Sequence, residues 1–151
     1  MAWNYTGEVI SCTFVGTNFT NADFSGTNTG NMYLVTLVEP TAAVVGAPVP
    51  VVAKSTATGD KIYGVAVGID GDGTTRNGVE GARRVSVVRG GTVYITGSGT
   101  PAYADIGKGI QGDATVAATD GEGRGTIIGV LGTNAGDKFI VDLDADPTAT
   151  S

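Results

Sequence analysis

The sequence contains no histidine. Histidine is the side chain most often used as a general base near neutral pH, and it is the commonest protein ligand for zinc and copper. Its absence removes much of ordinary enzyme chemistry. We therefore expect a protein without catalytic residues and without a metal ion or other cofactor.

Cysteine is almost as scarce. The single Cys12 has no second cysteine with which to form an intrachain disulfide, and it lies in an apolar stretch without a basic neighbour that would activate its thiol. We interpret Cys12 as a small buried hydrophobic residue. A reactive thiol or an intermolecular bridge is the alternative interpretation.

Basic residues and long apolar runs are also few. The chain has nine Lys and Arg against fifteen Asp and Glu, a formal net charge of -6, which argues against nucleic acid as a partner. The longest apolar stretch, Ala42 to Ala53, is interrupted by Gly46, Pro48 and Pro50, and the N-terminus lacks the pattern of a signal peptide. We expect a soluble protein made in a cytoplasm, with no membrane partner.

The residues that are abundant favour strands and turns. The chain has 25 glycines among its 151 residues, and its apolar residues are mostly Val, Ile and Ala, accompanied by many Thr. This composition predicts an all-β fold, either a small β-barrel or a β-sandwich. The predicted strands are Lys61–Val67, Arg83–Val88, Thr92–Thr96, Ala114–Ala118, Thr126–Leu131 and Lys138–Leu143, with one short turn of helix at Tyr103–Lys108.

Charge divides the chain unevenly, because all nine Lys and Arg lie from Lys54 onward. We interpret residues 1–53 as a low-charge, extended N-terminal arm, residues 54–146 as the β body and residues 147–151 as a mobile tail. The arm is rich in aromatic residues, and large aromatics dominate the energy of many interfaces. The predicted interface anchors are Trp3, Tyr5, Phe14, Phe19 and Phe24; the alternative is that half or more of them fill the protein's own core.

Three kinds of motif invite a chemical interpretation. Asp70 and Asp72 alternate with glycines as in a calcium loop, but an EF-hand would need glycine at Thr75 and an acid at Gly81, so an ordinary turn is favoured. The glycine-rich stretches lack the features of a phosphate-binding loop. The remaining carboxylates, Asp105, Asp113, Asp120 and Glu122, show no spacing that selects a catalytic pair.

Besides Gly71-Asp72 of the acidic loop, a Gly-Asp pair occurs at Gly59-Asp60, Gly112-Asp113 and Gly136-Asp137. Each of these three pairs predicts a turn in which the glycine takes the left-handed conformation and the aspartate accepts hydrogen bonds from nearby backbone amides before the next strand begins. The repetition is explained either by an internal duplication or, as we favour, by barrel geometry.

The order of motifs in the last two-thirds of the chain resembles that of the capsid cement, or head decoration, proteins of tailed phages. The segments that carry the resemblance are Ile62–Ala66, Val85–Val93, Ile106–Gly109 leading to Gly112-Asp113, Ile127–Gly132 and Ala135–Leu143. The resemblance implies a structural virion protein on the outer capsid surface. It also implies a homotrimer that binds the major capsid protein and clamps neighbouring subunits.

Two other functions stay open at this point. A carbohydrate-binding or adhesin-like β module would present exposed aromatic side chains in a row on one sheet face. A hydrolase on a β scaffold would need a pair of carboxylates in a cleft, because the chain offers no histidine.

Overall fold

The computed structural model of the protein describes residues 7–16, 18–39, 49–117 and 125–143. These residues form ten β-strands and three short 3₁₀ helices. The strands are β1 (Val9–Phe14), β2 (Tyr33–Leu37), β3 (Val51–Lys54), β4 (Gly64–Asp72), β5 (Thr75–Arg76), β6 (Val79–Glu80), β7 (Arg83–Val88), β8 (Thr92–Thr96), β9 (Thr126–Val130) and β10 (Lys138–Asp142), and the 3₁₀ helices span Asn21–Phe24, Gly26–Asn28 and Tyr103–Asp105. The all-β prediction is confirmed.

Five strands close into a barrel in the order β1-β3-β2-β4-β7. Strand β1 closes it by pairing with β7 in antiparallel register from Val9↔Val88 to Thr13↔Arg84, and it also pairs with β3 in parallel at Thr13↔Val51. Of the two predicted architectures, the structure therefore has the barrel.

The remaining strands form two smaller sheets. One has the order β8-β10-β9, with β10 in the centre, and the other is the β5-β6 hairpin between the ends of β4 and β7. The tip of the hairpin is Asn77-Gly78, with φ angles of 53° and 78°. Two consecutive residues with positive φ are what the favoured two-residue hairpin turn requires, and Asn-Gly is its preferred sequence.

Two apolar clusters hold these parts together. One fills the barrel and consists of Cys12, Phe14, Phe19, Val35, Val52, Ala66, Val85 and Val87. The other packs the three-stranded sheet against the barrel and consists of Met32, Leu34, Ile62, Val65, Val88, Val93, Ile95, Ile110, Ile127, Phe139, Val141 and Leu143. Because the second cluster draws residues from both sheets, the barrel and the three-stranded sheet share a core.

Neighbouring residues of the barrel wall divide between the two clusters. On β2, Val35 points into the barrel and Leu34 points toward the three-stranded sheet. On β4, Ala66 points into the barrel and Val65 points toward the three-stranded sheet. Successive side chains of a strand lie on opposite faces, so this wall is apolar on both faces. Double burial explains why these strands read as continuous apolar runs in the sequence.

The fold does not divide at residue 53, where the sequence suggested that an arm ends. Strands β1, β2 and all but the last residue of β3 lie within residues 1–53, and they supply three of the five barrel strands. The three described strands of this region are therefore part of the barrel wall and do not form an arm that extends away from the body. The predicted mobile tail, residues 147–151, lies outside the described residues.

Most strands predicted after residue 60 are present. Strands β7 and β8 have the predicted bounds, β9 and β10 each end one residue earlier, and β4 begins at Gly64 and runs to Asp72. The segment predicted at Ala114–Ala118 makes only an isolated bridge, Ile110↔Val116, within its described part. The predicted helical turn is present as the 3₁₀ helix Tyr103–Asp105.

Candidate interaction surfaces

The five predicted interface aromatics do not share one surface. Phe14 and Phe19 are buried in the barrel core, and Phe24 is partly buried beside it. Their burial corresponds to the alternative interpretation, in which such residues fill the protein's own core. Trp3 and Tyr5 lie outside the described residues.

Phe19 and Phe24 belong to an aromatic cluster at one end of the barrel. Their ring centroids are 6.1 Å apart with nearly parallel planes, and the Tyr33 ring packs edge-on against both, at 6.2 and 5.4 Å. Lys54 extends from β3 across this cluster, with its ammonium nitrogen 5.2 Å from the Phe19 centroid and 4.8 Å from the Tyr33 centroid. A cation over two aromatic faces is attracted by both rings.

A different part of the molecule leaves large apolar side chains in solvent. Four of them lie on two segments that are joined by backbone hydrogen bonds. One segment is the 3₁₀ helix Tyr103–Asp105 together with Ile106, and the other is strand β9 together with Leu131. They are Tyr103, Ile106, Ile128 and Leu131, with exposed fractions of 74%, 47%, 49% and 51%. We call these four residues the β9-edge surface.

Backbone hydrogen bonds fix the two segments of the β9-edge surface side by side. The Gly107 amide donates to the Ile127 carbonyl at 2.7 Å, and the Ile127 amide donates to the Lys108 carbonyl at 2.8 Å. A bridge between Gly109 and Thr126 continues the pairing. Ile127 itself is buried, whereas Ile128 projects outward at a register shift between β9 and β10. The surface is therefore built on rigid backbone.

The acidic loop that resembled a calcium site is used for internal hydrogen bonds. Asp70 accepts from the Ser86 hydroxyl at 2.8 Å, and Asp72 accepts from the Thr74 amide at 3.0 Å and from Asn21 Nδ2 at 3.1 Å. The Thr74 hydroxyl also donates to Asp72, and these bonds to Thr74 hold the pKa of Asp72 below its ordinary value. Asp72 thus serves the turn from β4 into the β5-β6 hairpin, the favoured interpretation of this motif, whereas Asp70 links β4 to Ser86 of β7.

In the three Gly-Asp pairs the aspartates behave as predicted, but the glycines do so only in part: Gly136 has a φ of 86°, whereas Gly59 and Gly112 are not in the left-handed region, so the prediction for these two glycines is wrong. Asp60 accepts from the amides of Thr56 and Ala57, which lowers its pKa, and Asp137 accepts from the Asn134 amide at 2.9 Å. Asp113 accepts from the Thr115 amide at 3.1 Å. Each aspartate therefore satisfies backbone donors that a turn would otherwise leave unpaired.

The turns at Asp60 and Asp113 are also joined to each other. The Thr58 hydroxyl donates to Asp113 at 2.7 Å, and Gly112 packs so closely on the 55–60 loop that a Cβ there would lie 2.4 Å from the Ala57 carbonyl oxygen. The hydroxyls of Thr115 and Thr58 lower the pKa of Asp113.

Cys12 is fully buried in the barrel core. Burial raises the pKa of its thiol, although the positive charges of Arg89 and Arg84 act in the opposite direction. Among the two interpretations drawn from the sequence, the structure supports the buried hydrophobic residue.

Within the described ranges, no three His, Cys, Asp or Glu side chains lie close enough together to hold a metal ion. Of the four carboxylates considered for catalysis, Asp105 accepts from the Ala102 amide at 2.9 Å and Asp113 forms the turn described above. Asp120 and Glu122 lie outside the described residues. No helix in the described part of the chain is both long and apolar enough to span a membrane.

Comparison with known proteins adds no relative. No protein-family model, curated protein or solved structure shows significant similarity to this chain. The class of protein is therefore defined by its architecture, a closed five-stranded β-barrel that shares a core with a three-stranded sheet.

Proposed function

We propose that this protein is a capsid cement, or decoration, protein that binds the outer surface of a tailed-phage capsid and stabilises contacts between major capsid protein subunits. Two features support the proposal: the ordered resemblance from Ile62 to Leu143, and the β fold of the protein. A clamp between subunits needs a rigid scaffold, and the shared core of barrel and sheet supplies one.

The observation that carries the proposal is the β9-edge surface. Its four apolar side chains have exposed fractions between 47% and 74%. The backbone segments that carry them are hydrogen-bonded to each other. Exposed apolar side chains on neighbouring segments favour a site of interaction with another protein. We propose that this surface contacts the major capsid protein.

The rest of the proposal follows the resemblance. The protein acts as a homotrimer in the virion, on the outside of the shell, and without a catalytic reaction. A carbohydrate-binding module has less support, because among the described residues Tyr103 is the single aromatic side chain that is largely exposed, and a sugar-binding face needs several in a row.

Binding to phage heads tests the proposal directly. The purified protein is mixed with expanded, undecorated heads of tailed phages, and the heads are imaged by cryo-electron microscopy. We expect added density on the outer shell and a higher temperature of head disruption. Heads that stay bare at saturating protein concentration would refute the proposed function.

A pair of variants tests the assignment of the surface. Ile128→Lys places a charge in the β9-edge surface, and Val79→Lys places the same charge on the β5-β6 hairpin, where Val79 is 69% exposed. Because the two positions are exposed, both variants should fold with the stability of the parent chain. We expect Ile128→Lys to weaken head binding about tenfold or more and Val79→Lys to leave it unchanged. The reverse result would move the contact to the hairpin.

A further inference from the structure

Arg89 lies directly after strand β7, at the end of the barrel where β1 begins. Its amide donates to the Glu8 carbonyl at 3.0 Å, which extends the β1-β7 register beyond Val9↔Val88. Arg89 and Glu8 are therefore directly opposite one another, and their side chains leave the two strands on the same face. An opposite-charge pair in this position ordinarily stabilises an antiparallel sheet.

Arg89 and Glu8 do not form this ion pair. Within the described ranges neither side chain makes a salt bridge, and Glu8 is exposed to solvent. Arg89 stacks on Tyr63 instead, with its Cζ atom 3.8 Å from the ring centroid. A guanidinium that lies flat on an aromatic ring still presents its edge to a planar acceptor, because its N–H donors lie in its own plane.

The stacked guanidinium has an incomplete set of hydrogen-bond partners. Its Nε is buried, and no acceptor in the part of the chain that the structure describes lies within hydrogen-bond distance of it. A partly desolvated cation without an anion is an unfavourable arrangement. A carboxylate compensates it best, since its two oxygens match the fork of the terminal guanidinium nitrogens.

Two large apolar side chains are exposed at the same end of the barrel. Val9 follows Glu8 in the chain, and Leu37 lies on β2 beyond the point where β4 begins, with exposed fractions of 43% and 53%. Arginine and tyrosine beside apolar side chains are the residues that contribute most to the binding energy of many protein interfaces. We call Glu8, Val9, Leu37, Tyr63 and Arg89 the barrel-end surface.

We propose that the barrel-end surface joins copies of this chain, with Glu8 of one copy paired to Arg89 of the next. Each copy offers one carboxylate and one guanidinium, side by side and without an ion pair of their own. A rotation that brings these surfaces together therefore makes the same pair at every contact, and three such pairs close a ring. The number of three copies rests on the proposed function, whereas the pairing rests on the contacts of Arg89 and Glu8.

The net charge of the chain explains why a copy needs such a pair. Each copy carries a formal charge of -6, so two copies repel one another over most of their surfaces. An opposite-charge contact offsets this repulsion and fixes the orientation in which the copies meet. The contact also leaves the β9-edge surface free, because that surface lies on other elements, β9 and the 3₁₀ helix Tyr103–Asp105.

Charge reversal is the first test, read out as mass by sedimentation velocity. The parent protein should sediment as a species of three times 15.1 kDa. Arg89→Glu and Glu8→Arg each bring like charges together, so each variant alone should associate about tenfold more weakly or worse. The variant that carries both changes restores opposite charges and should recover the parent mass.

Arg76→Glu is the matched control for charge reversal. It makes the same change in net charge as Arg89→Glu, but it lies on the exposed β5-β6 hairpin and should keep the parent mass. Thermal unfolding confirms that each variant is folded. Because Glu8 is exposed, Glu8→Arg should keep the parental melting temperature even if Arg89→Glu lowers it.

Carbodiimide cross-linking is the second test and separates pairing between copies from pairing within one copy. Arg89→Lys supplies an amine that the reagent can join to the Glu8 carboxylate. Isotopically heavy and light protein are unfolded together in urea, refolded, cross-linked and analysed as peptides by mass spectrometry. We expect peptides that join a heavy chain to a light chain, and these peptides should be absent when Glu8→Gln is added.

Loss of mass in both single variants, recovery in the double variant and heavy-light cross-links together support the proposal. A parent protein that is monomeric at all concentrations overturns it, and so do cross-links that join only chains of the same label. Failure of the proposed function has a different signature. A trimer held by these pairs that leaves phage heads bare would refute capsid binding and support this inference, whereas a monomer that decorates heads would do the opposite.

Discussion

The ammonium nitrogen of Lys54 lies 3.0 Å from Oδ1 of Asp23 and joins barrel strand β3 to the 3₁₀ helix Asn21–Phe24. Both side chains are mostly shielded, with exposed fractions of 27% and 20%. The Tyr33 hydroxyl adds a hydrogen bond to the Asp23 carbonyl at 2.8 Å, and its ring lies under the Lys54 ammonium. This ion pair fastens the 18–31 segment to the barrel wall.

Replacing the ammonium should loosen that attachment. Lys54→Met keeps most of the apolar stem but removes the ion pair and both cation–π contacts, and we expect the free energy of unfolding to fall by about 1–2 kcal/mol. Urea denaturation measures the change. In a double-mutant cycle with Asp23→Asn, the two effects should be less than additive. Strict additivity would mean that the ion pair contributes nothing.

The buried aromatics should affect stability more than binding. Phe14 is fully buried in the barrel, and Phe14→Ala should lower the free energy of unfolding by about 3–5 kcal/mol because a cavity remains. Phe24 is only partly buried, so Phe24→Ala should cost clearly less. Chemical denaturation compares the two variants. If Phe14→Ala kept parental stability and lost only partner binding, the interpretation of Phe14 as a core residue would be wrong.

Two glycines of the Gly-Asp turns should respond differently to alanine. At Gly112 a Cβ would lie 2.4 Å from the Ala57 carbonyl oxygen and 2.7 Å from the Asp60 carbonyl oxygen, so Gly112→Ala should cost about 1–3 kcal/mol or more. At Gly59 nothing lies within 4 Å, so Gly59→Ala should be neutral or slightly stabilising. Thermal unfolding of the two variants measures the contrast. Equal melting temperatures would show that the 55–60 loop moves freely away from Gly112.

Stability should decrease at acidic pH partly through Asp113. The Thr115 and Thr58 hydroxyls hold the pKa of Asp113 below its ordinary value, which is about 3.9 in an unfolded chain. The folded state thus binds fewer protons, and the stabilisation is present above about pH 4 and lost as the pH falls toward the folded value. Urea denaturation should show parent and Asp113→Asn differing most at pH 7, with a difference that shrinks as the pH falls below about 4. A difference independent of pH would exclude this linkage.

The predictions from sequence succeeded where a local pattern decides the structure. Strands β7 and β8 are rich in β-branched residues and lie between segments that contain glycine. The bounds of both strands were predicted without error. The aspartates of the Gly-Asp pairs also behave as expected, because an aspartate beside its own turn needs only local backbone donors. The predicted left-handed glycine is present at Gly136 but not at Gly59 or Gly112. Asn77-Gly78 fits the same principle.

The predictions failed where a partner distant in sequence decides. Nothing local shows that Val9–Phe14 pairs with Arg83–Val88, more than seventy residues later, so β1 read as part of an arm. For Phe14 and Phe19 the sequence left two interpretations open, interface anchor or core residue, and the structure places both side chains in the barrel core. The β9-edge surface was missed because exposure of Ile106 and Ile128 depends on which strand lies beside each residue.

The sequence by itself determined the class of fold and the location of the turns, since β-branched residues and glycine act through the local backbone. It also ruled out histidine chemistry. Only the tertiary structure decided that strands β1, β2 and β3 of the low-charge first third belong to the barrel, that Leu34 and Val35 face different cores, and that β10 lies between β8 and β9. These features arise from contacts between segments far apart in the chain, and pairing of that kind has no local signature.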